Sequence, residues 1–443
     1  MARVFGRAEL RGSCNSYPGR LAALWLAGLG PFFFLSYGFA NWATGLRPHV
    51  PSLVFDWERH IPFLAWTIVP YWSTDLFYAV SLFICRTRDE LNTHAKRLLA
   101  MQIIAVAGFL LFPLRFSFIR PHTTGVFGWM FDALADFDRP FNQAPSLHLG
   151  LTTILWAKYL QHLSGFALWL MRAWFLLMGI STLTAYQHHF IDLPTGIWAG
   201  LFCLALFPDN PTRRRSKPTD DPRKFLVSGL YLSGALFLIW LIYLLGGAAW
   251  LLLWPAGSLL IVSASYCLGR AELFRKTDGV MARPMIALLA PYLIGAWLNS
   301  RLRTRGEIPA QEIADGVWLG RMPRRAERDT QGVASMVDLT AELPVDTEGV
   351  AYSGIPMLDM LVPTTDQLTA AVNAIQHLEG TRPTLVCCAL GYSRSAAVVT
   401  AWLVASGRTV SLDESIDWIK SRRPQIRIRP AMRSRLEDWI RTR

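Results

Sequence analysis

The sequence predicts a multi-domain protein in which an all-α polytopic bundle of membrane helices is followed by a small α/β domain. Composition supports this, since 52% of the 443 residues are hydrophobic and only 17% are charged, too apolar for an ordinary soluble protein of this length. Long uncharged runs recur up to about Ser300, whereas charges are frequent from Arg301 onward. We therefore expect a six-helix membrane domain at 1–208, a basic linker with two further membrane helices and an interfacial helix at 209–305, and the α/β domain at 306–443.

A membrane-spanning helix needs about 20 apolar residues. Eight stretches come close to this length: 21–43, 67–85, 98–114, 148–163, 166–187, 189–208, 225–246 and 248–268. A ninth, Pro284 to Asn299, is short, contains Pro291, and has arginines on both sides. Basic residues at both ends favour a helix that lies on the cytoplasmic membrane surface, with a ninth span as the alternative.

The formal charge of +12 is concentrated in short segments between the apolar runs, at 86–97, 212–224 and 269–276. This distribution is typical of cytoplasmic loops of membrane proteins and argues against nucleic-acid binding. Several arginines also precede the first apolar run, which predicts an uncleaved anchor with a cytoplasmic N-terminus. We therefore expect a multi-pass protein of the cell inner membrane, with its C-terminal domain in the cytoplasm. The sequence does not indicate an oligomeric state.

Cysteine spacing indicates neither a zinc site nor a disulfide framework, and no metal or cofactor is expected. The six cysteines are Cys14, Cys85, Cys203, Cys267, Cys387 and Cys388. The first four are interpreted as small hydrophobic residues in or near membrane helices.

The C-terminal part alternates between strand-like and helix-like segments, which predicts an α/β domain. The strand-like segments are 316–321, 333–340 and 350–357, and the helical ones are 364–380, with Gly380 as its stop, and 412–423, with Ser411 as its cap.

The stretch TLVCCALGYSRSAA, at 384–397, predicts a buried strand, a tight loop and the start of a helix. A loop that opens a helix directs backbone N–H groups inward, and the helix dipole adds to them, so that an anion site forms. A thiolate at Cys388 would be stabilised there, Gly391 allows the turn, and Arg394 can hold two phosphate oxygens. Ser395 can donate to the sulfur when it leaves. Together these residues favour a cysteinyl-phosphate intermediate.

The segment from Cys388 to Ser395 resembles the signature of the protein tyrosine and dual-specificity phosphatases, and the resemblance extends over 316–439. It implies that Asp359, in PMLDMLVPT, protonates the leaving oxygen. The alternative for Asp359 is a solvated loop carboxylate. The family usually has a histidine before the catalytic cysteine, where this chain has Cys387, and we interpret Cys387 as a core residue of the strand.

A second set of residues lies in the membrane part, in FPLRFSFIRP (112–121), FNQAPSLHLG (141–150) and AYQHHFIDLPTG (185–196). His188 and Asp192 are four residues apart, so that on a helix they would share a face and the carboxylate would orient the imidazole for attack on phosphorus. His148 could then protonate the leaving group. Arg115 and Arg120 add charge that suits a phosphate.

These three stretches resemble the motifs of the type-2 phosphatidic acid phosphatase superfamily, over about 50–208. The resemblance implies a phosphohistidine at His188 and a substrate-binding role for Ser146. The lysine and arginine that the family has at the positions of Pro113 and Thr182 are missing here. The leucine in Pro-Ser-Leu-His is closer to the branch that contains the inositolphosphoceramide and sphingomyelin synthases, which transfer head groups. His189 receives no role.

The predicted function is an integral membrane phosphatase with a histidine-dependent lipid phosphatase site and a cysteine-dependent phosphomonoesterase site, both acting on lipid phosphates. One alternative is a lipid head-group phosphotransferase with an accessory phosphatase domain. The other is a membrane sensor or scaffold whose phosphatase domain is inactive. A transporter would leave both sets of motifs unexplained.

Overall fold

The computed structural model describes residues 18–209, 217–378 and 383–442, and the chain divides into two compact units, Met1–Pro211 and Thr212–Arg443. Cys14, the arginines before the first apolar run except Arg20, and the predicted helix stop at Gly380 lie outside the described residues.

The first unit is helical within its described part. Its helices are α1 (Gly19–Gly45), α2 (Ile68–Phe83), α3 (Arg88–Leu111), α4 (Gly125–Phe137), α5 (Leu147–His162), α6 (Gly165–Thr184) and α7 (Asp192–Leu206).

The start of α3 corrects one prediction. Residues 88–97, predicted as part of a basic loop, form the first turns of this helix. Thr87 caps it, because its side chain accepts a hydrogen bond from the backbone N–H of Glu90, and acidic residues in the first turn suit the helix dipole. His94 and Arg97 are buried rather than solvated. Helix α4 was not predicted.

Six helices of the described chain are long and apolar enough, by length and composition alone, to cross a membrane: α1, α3, α6, α8 (Arg223–Leu245), the helical stretch Gly247–Cys267 and α10 (Arg283–Arg303). Helices α2 and α7 have 16 and 15 residues and are shorter than the spans predicted for them, whereas α5 has 16 residues, the length predicted.

In the second unit, α8 and α9 (Leu253–Cys267) form a pair joined by Ser228 and Ser263, each of which donates to the other's backbone carbonyl at 2.9 Å. A short hairpin, β1 (Lys276–Thr277) and β2 (Val280–Met281), leads from this pair to α10.

The C-terminal α/β domain contains a five-stranded sheet in the order β3-β4-β7-β5-β6. The strands are β3 (Ala310–Ala314), β4 (Val317–Arg321), β5 (Ser335–Thr340), β6 (Ala351–Met357) and β7 (Thr384–Cys388). The helices are α11 (Arg325–Thr330), α12 (Thr365–Leu378), α13 (Arg394–Ala405), α14 (Leu412–Arg422) and α15 (Pro430–Arg441).

Strand β7 lies at the centre of this sheet and pairs in parallel with β4 and β5. All residues of β5 and β7 are buried, as expected for parallel strands covered on both faces. Because parallel strands end at the same edge of a sheet, the segments that follow β4, β5 and β7 meet there.

Candidate active site

The loop between β7 and α13 wraps around the sulfur of Cys388. Cys388 ends β7, and its Sγ accepts a hydrogen bond from the backbone N–H of Gly391 at 3.2 Å and lies 3.3 Å from Oγ of Ser395. Gly391 has φ +75°, and a Cβ there would lie 2.6 Å from the backbone nitrogen of Arg321. A side chain at this position would therefore clash with the neighbouring strand end.

Arg394 begins α13 and is buried. It makes two hydrogen bonds to the Glu342 carboxylate, at 2.6 and 3.1 Å, and a third to the carbonyl of Met357 at 2.9 Å. Burial acts to lower the pKa of Arg394, but the carboxylates of Glu342 and Asp359 raise it well above its ordinary value, so the group stays cationic. Its Nε–H is buried and has no partner within the described part of the chain, which leaves a charged donor for an anion.

Asp359 lies 3.2 Å from Arg394, and its side chain is 40% exposed. Its loop is held by Asp221, whose carboxylate accepts from the backbone N–H of Val362 at 2.8 Å, and by Arg429, which donates to the carbonyl of Met360. The structure thus brings Asp359, predicted from one part of the sequence, to Arg394 of the Cys388 loop, which was predicted from another.

Two residues at this site received no role from the sequence. Glu342 fixes Arg394 from the segment after β5, at the end of the stretch VDLTAE (337–342). Arg423 donates a hydrogen bond from Nε to the carbonyl of Gly391 at 3.1 Å and so helps to hold the Cys388 loop in place.

Cys387 lies in an apolar cluster with Met322, Met336 and Leu385, whereas Cys388 packs in the cluster on the other face of the sheet. Burial, with a further contribution from Asp338, raises its pKa well above the ordinary value, so it remains a neutral thiol. The structure therefore places Cys387 in the core of the sheet.

The family model for the catalytic domain of dual specificity phosphatases matches residues 317–442. The chain is 29% identical to dual specificity protein phosphatase 14 of Homo sapiens over 150 residues, which cover 32% of this chain and 74% of that protein. Its identity to dual specificity protein phosphatase 14 of Bos taurus is 30% over 138 residues, 29% of this chain and 68% of that protein. The chain belongs to the dual-specificity phosphatase family. This confirms the predicted C-terminal phosphatase domain.

Solved structures of dual-specificity and related phosphatases also resemble the phosphatase domain. The crystal structure of PTPMT1 in complex with PI(5)P is 25% identical, with a TM-score of 0.27, and the match covers 30% of this chain and 96% of that one. Human DUSP28 is 25% identical, with a TM-score of 0.28, and the match covers 30% and 95%. Scores this low do not define a shared fold, so family membership rests on the sequence matches.

The first unit contains the second set of predicted residues. His188 Nδ1 lies 3.2 Å from Asp192 Oδ2, and His188 Nε2 lies 3.1 Å from Oγ of Ser146. The predicted shared helix face is wrong, because His188 precedes α7 and Asp192 is the first residue of that helix. The pair forms in the turn that leads into α7, where the Asp192 carboxylate also accepts the N–H of His189 at 3.0 Å.

A cavity of about 110 Å³ lies beside these residues and is lined by both His148 and His188. His148 Nε2 lies 2.7 Å from Oγ1 of Thr74, and its ring stacks on Tyr71. Three polar side chains to which the sequence assigned no role also line the cavity: Asp75, Asp138 and Asn142. Because Asp75 is a carboxylate within an otherwise uncharged helix, it could have been identified from the sequence.

The structure does not bring Arg115 or Arg120 to this cavity, and no lysine or arginine is among its described lining residues. The guanidinium of Arg120 lies instead over the ring of Phe131, 4.5 Å from its centroid.

His189 anchors the segment that carries these arginines. Its Nε2 accepts from the backbone N–H of Ser117 at 3.1 Å, and its Nδ1 lies 3.1 Å from the Glu58 carboxylate. Burial acts to raise the pKa of Glu58, but hydrogen bonds from His189 and from two backbone N–H groups lower it below its ordinary value. His189 therefore has a structural partner on both ring nitrogens.

Proposed function

We propose that the phosphatase domain hydrolyses phosphate monoesters of lipids through a covalent intermediate on Cys388. The observation that carries this is the buried Nε–H of Arg394, which has no partner among the described residues, in the same loop as a sulfur that already accepts a backbone N–H. A phosphate bound in the loop would meet a fixed cation on one side and a nucleophile on the other.

In the first step, Sγ of Cys388 attacks phosphorus, the bond to the leaving oxygen breaks, and Asp359 gives that oxygen a proton. Water then attacks the phosphocysteine, Asp359 takes the proton back, and the sulfur leaves as thiolate with Ser395 as hydrogen-bond donor. An inactive scaffold is disfavoured, because nucleophile, cation and acid are all present.

A lipid substrate is favoured because the phosphatase domain forms one compact unit with α8 and α9. The loop that holds Asp359 is itself attached to the segment before α8, where Thr219 and Asp221 bond to Val362. A domain built onto apolar helices has lipid head groups as its nearest phosphate esters.

For the histidine site, transfer of a lipid head group is favoured over hydrolysis of a monoester. Asp75 and Asp138 line the cavity together with the two histidines, and neither lysine nor arginine does so among the described residues. Such a site suits a phosphodiester, which carries less negative charge than a monoester dianion. His188 would attack phosphorus, with Asp192 holding its ring, and His148 would exchange a proton with the leaving or incoming hydroxyl.

The test uses the full-length protein in vesicles with lipid phosphomonoesters and, separately, with a phosphodiester lipid and an alcohol acceptor. Cys388→Ser should abolish release of inorganic phosphate, and His188→Ala should abolish only head-group transfer. Phosphate release that persists in Cys388→Ser would overturn the cysteine mechanism, and transfer that persists in His188→Ala would overturn the histidine mechanism.

We also propose that the protein is a multi-pass protein of the inner membrane with its phosphatase domain in the cytoplasm. The basic segments 212–224 and 269–276 support this orientation, and a reducing compartment would protect Cys388. A reporter fused after residue 443 and active only in the cytoplasm should give a signal. A signal from a reporter active only in the periplasm would overturn the orientation.

A further inference from the structure

Helix α10 is bonded to the phosphatase domain at both ends. Before it, Lys276 donates to the carboxylate of Asp338, and the carbonyl of Gly279 accepts from the N–H of Val345 at 2.9 Å. In its last turns, Ser300 Oγ donates to the carbonyl of Ala389 at 2.6 Å. A helix of 21 residues is about 31 Å long, close to the thickness of the hydrocarbon core, about 30 Å. If α10 crossed the bilayer, one small domain could not bond to both ends.

The helix has two apolar faces with different surroundings. One face is buried and contains Met285, Leu288, Leu289 and Leu293. The other face is 38% to 68% exposed and contains Ile286, Ile294, Trp297, Leu298 and Leu302. Arginines lie at both ends of the helix, at 283, 301, 303 and 305. An exposed apolar face between basic ends fits the boundary between the head groups and acyl chains of a bilayer.

Helix α10 packs against the apolar helix pair α8 and α9. Tyr292 of α10 packs against Tyr231 of α8, with ring centroids 5.8 Å apart, and Trp254 of α9 donates to the carbonyl of Ala287 at 3.0 Å. Helix α8 also exposes large apolar side chains, among them Phe225, Leu226, Leu230 and Leu236. Exposed apolar side chains beside basic residues suit lipid as the occupant of this surface.

The last turn of α10 supports the catalytic loop. Besides the bond from Ser300 to Ala389, the Tyr392 hydroxyl lies 3.2 Å from the carbonyl of Arg303 and donates to the carboxylate of Glu307, shortly after the helix, at 2.6 Å. Ala389 and Tyr392 both lie between Cys388 and Arg394 in the sequence. The position of α10 therefore determines the position of the loop that holds the nucleophile.

We propose that α10 lies in the membrane surface with its exposed apolar face in lipid, and that its last turn holds the Cys388 loop beside the bilayer, so that the phosphatase site takes its substrate from the membrane. The second half of this proposal rests on the proposed lipid phosphatase function. Ser300 is then a positioning residue.

The first experiment measures hydrolysis by the full-length protein in vesicles that contain a lipid phosphomonoester and, separately, of a soluble aryl phosphate. Ile294→Asp combined with Leu298→Asp should lower kcat/KM for the lipid at least tenfold and for the aryl phosphate less than twofold. Val410→Asp, at a residue that is 93% exposed elsewhere on the phosphatase domain, is the matched control and should change neither. Unchanged lipid hydrolysis, or an equal loss on both substrates, would overturn the membrane role of α10.

A second experiment separates this role from the proposed function. A photocrosslinking amino acid in place of Ile294 should attach to labelled phospholipid in the vesicles, and one in place of Val410 should not. The crosslink should form even if no lipid is hydrolysed. A crosslink without lipid hydrolysis would refute only the proposed lipid substrate. Absence of a crosslink at 294 would refute the lipid contact.

The role of Ser300 is tested by Ser300→Ala, with Asn299→Ala on the same helix as control. Loss of the bond to Ala389 should lower kcat for the aryl phosphate several-fold with little change in KM, because the loop is less well fixed while the anion site persists. An unchanged kcat would overturn the positioning role.

Discussion

Arg394 is the residue on which the phosphatase site depends most, because its charge is buried and held by Glu342. Removing one partner of a buried ion pair leaves the other charge uncompensated, which costs about 3–5 kcal/mol. We expect Glu342→Ala to lower the free energy of unfolding by this amount and to reduce kcat. Denaturant unfolding in detergent and an aryl phosphate assay measure both effects.

The control for Glu342 is Glu348→Ala, which removes a side chain that is 74% exposed and pairs with Arg325. Exposed pairs contribute about 0–1 kcal/mol. Equal destabilisation by the two variants would contradict the assignment of Glu342 as the fixed partner of Arg394.

The two adjacent cysteines should differ in reactivity. The raised pKa of Cys387, caused mainly by burial, keeps it a neutral thiol throughout the neutral range, whereas the Cys388 sulfur faces the anion loop. At pH 7, iodoacetamide should alkylate Cys388, inorganic phosphate should slow this reaction, and Cys387 should remain unmodified by mass spectrometry. Exposed Cys267 is the internal positive control. Alkylation of Cys387 at a similar rate would contradict its placement in the core.

The helices and strands that the sequence predicted correctly are those determined by residues close together in the chain. The strand, loop and helix around Cys388 follow from a short apolar run, a glycine and a helical pattern, and the structure has them at Thr384–Cys388 and Arg394–Ala405. The first turns of α3 were missed because charged residues in a helix that continues into an apolar segment were interpreted as a loop. Glu342 was missed because its role depends on β5 lying next to β7, and strand order is a long-range property.

The end of β4 is joined to α11 by a forked ion pair between Arg321 and Glu327, with N–O distances of 2.7 and 2.9 Å. Burial acts to raise the pKa of Glu327, but hydrogen bonds from Arg321 and from the N–H of Arg324 lower it below its ordinary value. A carboxylate with a lowered pKa in the folded state adds stability above the pKa of the unfolded chain, about 4.3, and loses it as pH falls through the folded value.

We therefore expect Glu327→Gln to be less stable than the wild type at pH 7, and the difference to shrink as pH falls below about 4.5. Unfolding midpoints measured from pH 7 to pH 3.5 check this. A difference that stays constant or grows on acidification would show that the charge of Glu327 does not stabilise the strand end.

The proposed histidine site and the Cys388 site lie in separate compact units. His188→Ala should lower the rate of head-group transfer at least about a hundredfold, the smaller effect expected when a catalytic histidine is lost. The same variant should leave the rate of aryl phosphate hydrolysis within about twofold of wild type. The comparison variant is His189→Ala, which should reduce stability, because His189 holds Glu58 and Ser117. Parallel loss of both activities in a folded His188→Ala protein would contradict the independence of the two sites.

If Cys388 carries the phosphate during hydrolysis, the phosphocysteine can be trapped and identified directly. Ser395 Oγ lies 3.3 Å from the sulfur and donates to it as it leaves, so that Ser395→Ala should slow breakdown of the phosphocysteine more than its formation. The full-length variant is mixed with an aryl phosphate, denatured within milliseconds, and analysed by mass spectrometry. We expect a burst of aryl alcohol and one phosphoryl group on the peptide that contains Cys388. A phosphoryl group on another residue, or a burst that persists when Cys388→Ser is added to the variant, would contradict it.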